Sequence, residues 1–524
     1  MMEQERLFPI GIQSFPEIIN GGFAYVDKTA LVHRLTRRGK FYFLSRPRRF
    51  GKSLLVSTLE TYFKGQKELF KGLAMEQLET QWEQYPVLRL DLNVPNYRGL
   101  GTAALLNKLE NFLQENEQLC GYESHDQDVG VRFEQLIKRL AAQTGKRVVV
   151  LVDEYDKPLL ETIDNDDLND QMRTILKGFY TTLKSQDDNI RFALLTGVSK
   201  FSHVTIFSGL NNLSDITMEQ AYADICGITE QELHDNFDAD VQVLADENNK
   251  TKEEAYEELR ENYDGYHFVK NGVGIYNPFS VINVLAKKEF ADYWFSTGTP
   301  TFLVKLLQKK KYDLTKLNDD IMATAGELSD IDTHKNMVPM MYQSGYLTIK
   351  GYNPRMKFYI LGFPNGEVQR GFNENLMNLY LTQYDPPDRN TLALRLNEAA
   401  ASGNVEEMMN IFKQVLGSTP CHSSNEKQLE VHYRNAIYLM LVMSGYTTNV
   451  ERFTAKGRID VSLETDDYVY VMELKRGTTD EAAEQIEDRH YLDAYAADER
   501  KVIALAVAIN DNTRNIGNWR QLDA

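Results

Sequence analysis

Apolar, β-rich runs recur at wide intervals through the first two hundred residues: FYFLSR (41–46), PVLRLDLN (86–93), RVVVLVDEYD (147–156) and RFALLTGV (191–198). Segments with helical spacing, such as SLLVSTLETYF and VRFEQLIKRLAAQ, separate them. Buried strands alternating with helices predict a parallel α/β sheet. Residues 218–310 are mostly helical by pattern, with the turn-rich aromatic patches ENYDGYHF and YNPFSVINVL, then WFSTGTPTFLVKLL. KNMVPMMYQSGYLTI and KFYILGFP (335–363) predict a helix followed by a two-stranded hairpin, a winged-helix-like unit. YDPPDRN (384–390) is the best linker candidate, and two short helices split at Ser402-Gly403 follow it. The last hundred residues predict a helix (430–443), strands at 447–454, 458–464 and 468–475, a helix (479–495) and a last strand (501–509). Four regions result: an α/β domain over 1–217, a helical and winged-helix-like region over 218–383, linker helices over 384–420 and a second α/β domain over 421–524. There is no internal repeat.

Length and composition agree. At 524 residues the chain exceeds one ordinary core, and 42% hydrophobic with 26% charged residues is the balance of a folded, water-soluble protein. No apolar run approaches the ~18–20 residues of a membrane span. MMEQERLFPIG lacks a basic start followed by an apolar stretch, so no signal peptide is expected. Cys120, Cys226 and Cys421 are far apart and read as reduced thiols, which predicts a cytoplasmic protein without membrane partners. The net charge of −18 argues against a protein that coats nucleic acid generally. One stretch runs the other way: Arg34, Arg37, Arg38, Lys40, Arg46, Arg48, Arg49 and Lys52 follow one another with no acid between them. It serves the phosphates of a small ligand alone or also meets DNA, and the sequence leaves both open.

The chemistry begins at FYFLSRPRRFGKSLL (41–55). An apolar strand, a loop, Gly51-Lys52-Ser53 and a helix have the layout of a phosphate-binding loop. Backbone N–H groups and a helix N-terminus surround a polyphosphate, Lys52 reaches the β and γ phosphates, and the Ser53 hydroxyl holds Mg²⁺. The usual first glycine is replaced by Arg46. A second strand ends in Asp153-Glu154. Asp153 is expected in the Mg²⁺ shell opposite Ser53, and Glu154 is placed to polarise a water for attack on the γ-phosphate. A structural ion pair is the bland alternative for Glu154, and Asp156 reads as a structural or turn residue ahead of a catalyst. A third strand ends in Thr196-Gly197, where a polar group beside Asp153 would sense the γ-phosphate. Arg46, Arg48 and Arg49 would add charge around the phosphates. Tyr25, Asp27 and Lys28 lie where base and ribose contacts often originate, although Asp27 suits a helix cap equally well.

The second signal is GRIDVSLETDDYVYVMELKRG (457–477). Glu473 and Lys475 are two apart in one strand and share a face, and an adjacent strand would bring Asp460 beside them. Two acids and an ammonium on one face suit Mg²⁺-dependent phosphodiester hydrolysis, with Asp460 and Glu473 on the metal and Lys475 steadying water or charge. Glu430, in the preceding helix, offers a further metal-binding acid. Gln485 and Tyr491 offer contacts to a nucleic-acid backbone. An exposed acid-x-Lys pair is often a solvated surface pair worth little. Here, though, the strand before Glu473 is strongly apolar, and the helix–three-strand–helix–strand order resembles that of a PD-(D/E)XK core. His267, Trp294 and Met340-Met341 read as packing residues.

The set YVDKT, RPRRFGKSLL, VDEYDKPL, TGVSKFS and FSGLNNL resembles the bacterial AAA-ATPase-like proteins fused to a C-terminal PD-(D/E)XK nuclease-like domain. The resemblance covers roughly residues 5–215 and 420–515. It implies ATP and Mg²⁺ at Lys52, Ser53, Asp153 and Glu154, and it makes Arg46 the family's own form of the loop. Ser199-Lys200 also match, with Lys200 either a γ-phosphate contact or a surface lysine. The expected activity is ATP hydrolysis controlling a Mg²⁺-dependent nuclease that acts on DNA or RNA. The rival is a nucleotide-switched module that binds nucleic acid or protein without cutting. Self-association is compatible with either, and no arginine finger stands out.

Overall fold

The computed structural model describes residues 6–200, 212–294, 303, 306–307, 312–317, 321–329, 336–380, 386–418, 426–453, 458–510, 513 and 515–522. Most of WFSTGTPTFLVKLL, Tyr384 and Asp385 of the linker candidate, and Cys421 lie outside these residues. The chain divides into two compact units, Met1–Leu303 with Met322–Gln369, and Val304–Ile321 with Arg370–Ala524.

In the first unit, β1 (Phe41–Ser45), β2 (Val87–Asp91), β3 (Val148–Asp153), β4 (Ile190–Gly197) and the short β5 (Ser214–Asp215) form a parallel sheet in the order β2-β3-β4-β1-β5. Every residue of β1 and β3 is buried, which is why these strands read as unbroken apolar runs: both faces of a parallel sheet are covered. Parallel strands bring all their C-terminal ends to one edge. In the paired register Asp91 lies opposite Asp153 and Ser45 opposite Gly197. Because β4 inserts between β1 and β3, the phosphate-loop strand and the Asp153 strand flank it at that edge. Ligands of open α/β sheets bind where strand order switches in this way.

The helices Glu230–Glu247 and Lys252–Tyr263 each start at a capping box, Thr229 with Glu232 and Thr251 with Glu254. With Pro278–Lys287 they bury Leu233, Phe237, Val241, Leu259, Val281 and Val284 in one core. Here β6 (Ile228–Thr229) and β7 (Ile275–Tyr276) pair antiparallel. The helix Val338–Ser344 ends at Gly345, where a Cβ would come within 2.6 Å of Pro47 in the phosphate loop. Glycine is therefore needed for this approach as well as for its φ of +90°. A three-stranded sheet follows, ordered β8 (Ile321–Thr324), β10 (Phe358–Gly362), β9 (Thr348–Asn353). The helix-then-hairpin reading of this region agrees with the structure.

The second unit holds β11 (Thr447–Phe453), β12 (Arg458–Glu464), β13 (Tyr468–Arg476), β14 (Lys501–Asn510) and β15 (Asn515–Leu522), in that spatial order. Only β13 and β14 pair parallel, joined through the helix Thr479–Asp488. Ile459, Val471, Ile486, Tyr491 and Ala506 form the core between sheet and helix. The sequence reading misses β15, an edge strand whose one fully buried position is Ile516 and which contains Gly517. The expected helix 479–495 is also interrupted: it ends at Asp488, and a 3-10 turn, Tyr491–Tyr495, replaces its last part.

Candidate active sites

The phosphate loop leaves β1 and enters the helix Lys52–Phe63 through Gly51, whose φ of +89° favours glycine. Lys52 is buried, and its ammonium donates to the carbonyls of Arg46 and Pro47 at 2.9 and 3.0 Å. Burial lowers its pKa, and the nearby carboxylates of Asp153, Glu154 and Asp156 oppose that. A cavity of about 320 Å³ opens beside the loop. Arg48, Arg49, Gly51, Lys52 and Ser53 of the loop line it, together with Asn93, Glu154, Asp156 and Lys157. A smaller apolar hollow of about 100 Å³ shares Gly51 and Leu54 with it and runs between Ile18, Tyr25, Ile225, Cys226 and Ile282.

Arg46 is not in the cavity wall. Its side chain is 1% exposed and turns into the protein. There it donates to the carbonyls of Ser45 and Thr217 (both 2.9 Å), Tyr222 (3.0 Å) and Ala223 (3.4 Å). Its guanidinium also stacks 4.0 Å from the centre of the Phe268 ring. This corrects the expectation that Arg46 adds charge around the phosphates. A planar five-donor fork with buried carbonyls around it is held by those carbonyls. Arg49 does face the cavity, with its guanidinium 4.8 Å from the Phe279 ring centre.

Asp153 ends β3 almost wholly buried. Its Oδ1 accepts from the Thr196 hydroxyl at 2.6 Å and from the Glu154 N–H at 3.1 Å. Among the described residues nothing hydrogen-bonds Oδ2, so its chemistry fits a cation shared with Ser53, although Asp153, 2% exposed, is itself outside the residues that line the cavity. Thr196, 0% exposed and behind the cavity wall, orients Asp153 instead of meeting a phosphate. Glu154 lies in the wall in a left-handed backbone conformation, φ 52°, and burial raises its pKa against the pull of Lys52 and Lys157. Asp156 ties the β3 end to the β4 end by accepting from the Val198 and Ser199 N–H groups and the Ser199 hydroxyl, at 3.0, 2.6 and 2.5 Å. Lys200 pairs with Asp215 at 2.6 Å. Asp27 accepts from the Thr29 N–H and hydroxyl just before the helix Thr29–Arg38, whose N-cap is Lys28, and Lys28 pairs with Glu232.

In the second unit the strands carry the chemistry. The Val461–Met472 pairing, continued one residue, sets Asp460 opposite Glu473, and the Leu474 N–H donates to Asp460 Oδ2 at 2.9 Å. Lys475 Nζ is 3.1 Å from Glu473 Oε1. Glu473 is fully buried, and neither of its oxygens receives a hydrogen bond of proper angle. Burial first, then the Asp460 charge, push its pKa up to about 7. A buried carboxylate beside another acid stays charged only where cationic charge offsets both. Lys475 supplies one such charge, and the donor set fits a divalent cation as the other. Among the described residues no group of three or more His, Cys, Asp or Glu gathers as metal ligands. Glu430 falls on the helix Glu426–Met443, but its side chain lies outside the described residues. Tyr491 is 1% exposed in the core, and its hydroxyl accepts from the Gln485 amide at 2.9 Å. The ring is therefore a packing group, a correction to its expected place on a nucleic-acid backbone, and Gln485 is engaged in holding it.

A family model described as a predicted AAA-ATPase matches residues 9–207, and one described as the PD-(D/E)XK nuclease superfamily matches 428–519. An Azotobacter chroococcum mcd 1 protein, "Uncharacterized protein in vnfD 5'region", is 35% identical over 535 residues, covering 98% of each chain. The chain belongs to the AAA-ATPase-like proteins that carry a C-terminal PD-(D/E)XK nuclease-superfamily domain. Among solved structures, the Aeropyrum pernix ORC2 protein in its ADPNP-ADP complexes is 10% identical. It covers 67% of this chain and 93% of that one with a TM-score of 0.18, a likeness too slight to bear on fold or function. For this AAA-ATPase-like protein, reading strand ends alone misses Asn93 in the cavity wall, whereas the structural reading of Asp156 agrees with its hydrogen bonds to Val198 and Ser199. Asn93 follows β2 at the same sheet edge as Asp153, and that position is the signal that would have found it. Among the described residues no helix is long and apolar enough to cross a membrane.

Proposed function

We propose that the chain binds and hydrolyses ATP at the phosphate loop, and that its C-terminal domain is a Mg²⁺-dependent nuclease. What supports both is that each unit gathers the acids and cations of a phosphate chemistry on one sheet: at the C-terminal edge, with β4 between the phosphate-loop strand and the Asp153 strand, in the first, and on the paired strands β12 and β13 in the second. In the first, Lys52, Arg49 and the helix N-terminus at Ser53 receive a polyphosphate. Ser53 and Asp153 would hold Mg²⁺, with Thr196 fixing the carboxylate. Glu154, partly desolvated, is the general base for the attacking water. The apolar hollow beyond Gly51 suits a base. In the second, Asp460 and Glu473 would hold a divalent cation, with Glu430 as a further ligand, and Lys475 steadies developing negative charge. The bound cation would supply Lewis-acid polarisation of a phosphoryl oxygen.

A paired substitution separates the two. Lys52→Ala should abolish ATP turnover, and Asp460→Ala should abolish metal-dependent cutting while sparing ATP turnover. The measurement is phosphate release together with a panel of single- and double-stranded DNA and RNA in Mg²⁺ and Mn²⁺. Cutting that survives Asp460→Ala in pure protein would end the nuclease assignment. Binding of nucleic acid without cleavage across the panel would favour a non-cutting, nucleotide-switched module.

A further inference from the structure

We propose that the tip of the β9–β10 hairpin is a docking surface for duplex DNA. In a chain of net charge −18, residues 333–366 contain no Asp or Glu. The hairpin is closed from the Thr348–Gly362 pair to the Asn353–Phe358 pair. Its turn is held in shape: Asn353 Oδ1 accepts from the N–H groups of Arg355 and Met356, both at 3.1 Å, and Lys357 takes a left-handed φ of 58°. Arg355, Met356 and Lys357 are exposed at that turn. Behind them the rings of Tyr352 and Tyr359 pack 4.9 Å apart, and Lys270 from a neighbouring loop stands 5.0 Å over Tyr352. Among the described residues, Arg355, Lys357 and Lys270 make no ion pair. Other cations of the same unit are matched, as Lys28 is by Glu232, Arg37 by Glu79 and Lys200 by Asp215.

Exposed cations without acids around them repel one another and attract a polyanion. Arg355 and Lys357 on the turn and Lys270 beside it offer three cations to a phosphate backbone, and each neutralised phosphate releases counterions. The shape selects the partner further. The end of a two-stranded ribbon fits the roughly 12 Å major groove of B-form DNA. The deep, narrow major groove of an A-form RNA duplex does not admit it. The exposed Met356 between the two cations is an apolar group available to a thymine methyl. Lys350 takes no part, since its ammonium donates to the Pro364 carbonyl.

This surface is distinct from the acids proposed for cleavage, so the test is run in EDTA, where no metal-dependent cutting occurs. Fluorescence anisotropy with a short labelled DNA duplex compares the parent, Lys270→Glu, and the double variant Arg355→Glu/Lys357→Glu. The double variant should bind at least about tenfold more weakly, with a salt slope shallower by about 2, close to 0.9 for each phosphate no longer neutralised. Lys270→Glu should lie between, and an RNA duplex should bind the parent more weakly than DNA. Thermal unfolding and binding of an ATP analogue should match the parent in every variant, because these side chains are exposed and outside the nucleotide cavity. A parent that does not bind duplex DNA, variants that bind it as the parent does, or an RNA duplex bound as tightly as DNA would each overturn the inference. None of these results bears on whether Asp460 and Glu473 cut.

Discussion

Replacing Arg46 by methionine removes the donor to four buried carbonyls, those of Ser45, Thr217, Tyr222 and Ala223, and the cation over Phe268. Methionine keeps most of the length, so the space stays largely filled. A stranded buried acceptor costs about 1–3 kcal/mol, so four stranded carbonyls would cost about 4–12 kcal/mol together. Two effects pull that down: a carbonyl has a second lone pair, and a buried ion's desolvation penalty disappears with the ion. The net loss expected is about 3–5 kcal/mol, the range for removing one member of a buried charged cluster. At about 2–4 °C per kcal/mol for a unit of this size, melting should fall by about 10 °C. Arg46→Lys keeps the charge without the planar fork and should fall part of the way. Because the guanidinium is outside the cavity wall, Arg46→Lys should bind nucleotide within about threefold of the parent. Loss of a charged phosphate contact of about 1.5–3 kcal/mol would cost about tenfold or more. Near-UV circular dichroism melts and titration with a fluorescent ATP analogue, held below both transitions, measure the two quantities. An Arg46→Lys protein that melts with the parent yet binds nucleotide about tenfold more weakly would refute the buried clasp.

Two further outcomes follow from buried polar groups. Thr196→Val keeps the side chain's shape but loses the 2.6 Å hydrogen bond that orients Asp153. ATP turnover should drop about 10–100-fold while the fold is retained, and unchanged phosphate release would count against the orienting role. Glu367 is 1% exposed, its oxygens accept from the Trp294 N–H and the Ser280 hydroxyl, and burial pushes its pKa up to about 7. A folded pKa above the unfolded value of 4.5 means its contribution is fully present below about 4.5 and is lost as pH rises through about 7. At 1.36 kcal/mol per unit that amounts to about 3 kcal/mol. The parent should therefore lose stability relative to Glu367→Gln across this window, read from urea midpoints at several pH values. A difference that stays flat with pH would count against it.

The legible parts of the fold share one cause. β1, β3 and, after Arg191, β4 are buried on both faces, so their apolar runs survive in the linear sequence. β15 is an edge strand with one fully buried residue, and an alternation that weak does not separate from a loop. The helix after β13 reads as continuous because apolar spacing carries on through Tyr491 and Tyr495. His490, at φ 49°, breaks the backbone there without a glycine or proline to mark it.

Chemistry divides along a similar line. Gly51-Lys52-Ser53, Asp153-Glu154 and Asp460 with Glu473-x-Lys475 are recognisable because local geometry, a strand end or a period of two, already sets where such side chains point. Arg46, Thr196 and Tyr491 are not settled locally. Each sits in or beside a readable motif, yet its role depends on what packs against it from far along the chain: carbonyls 171 to 177 residues away for Arg46, a carboxylate on the neighbouring strand for Thr196, the core of the second unit for Tyr491. Residue order specified the types and spacing of the groups proposed to handle phosphate. The strand order that inserts β4 between β1 and β3, and the burial that turns Arg46 inward, arise only when distant segments pack. Burial and hydrogen-bond satisfaction are properties of the assembled interior and not of any stretch of it.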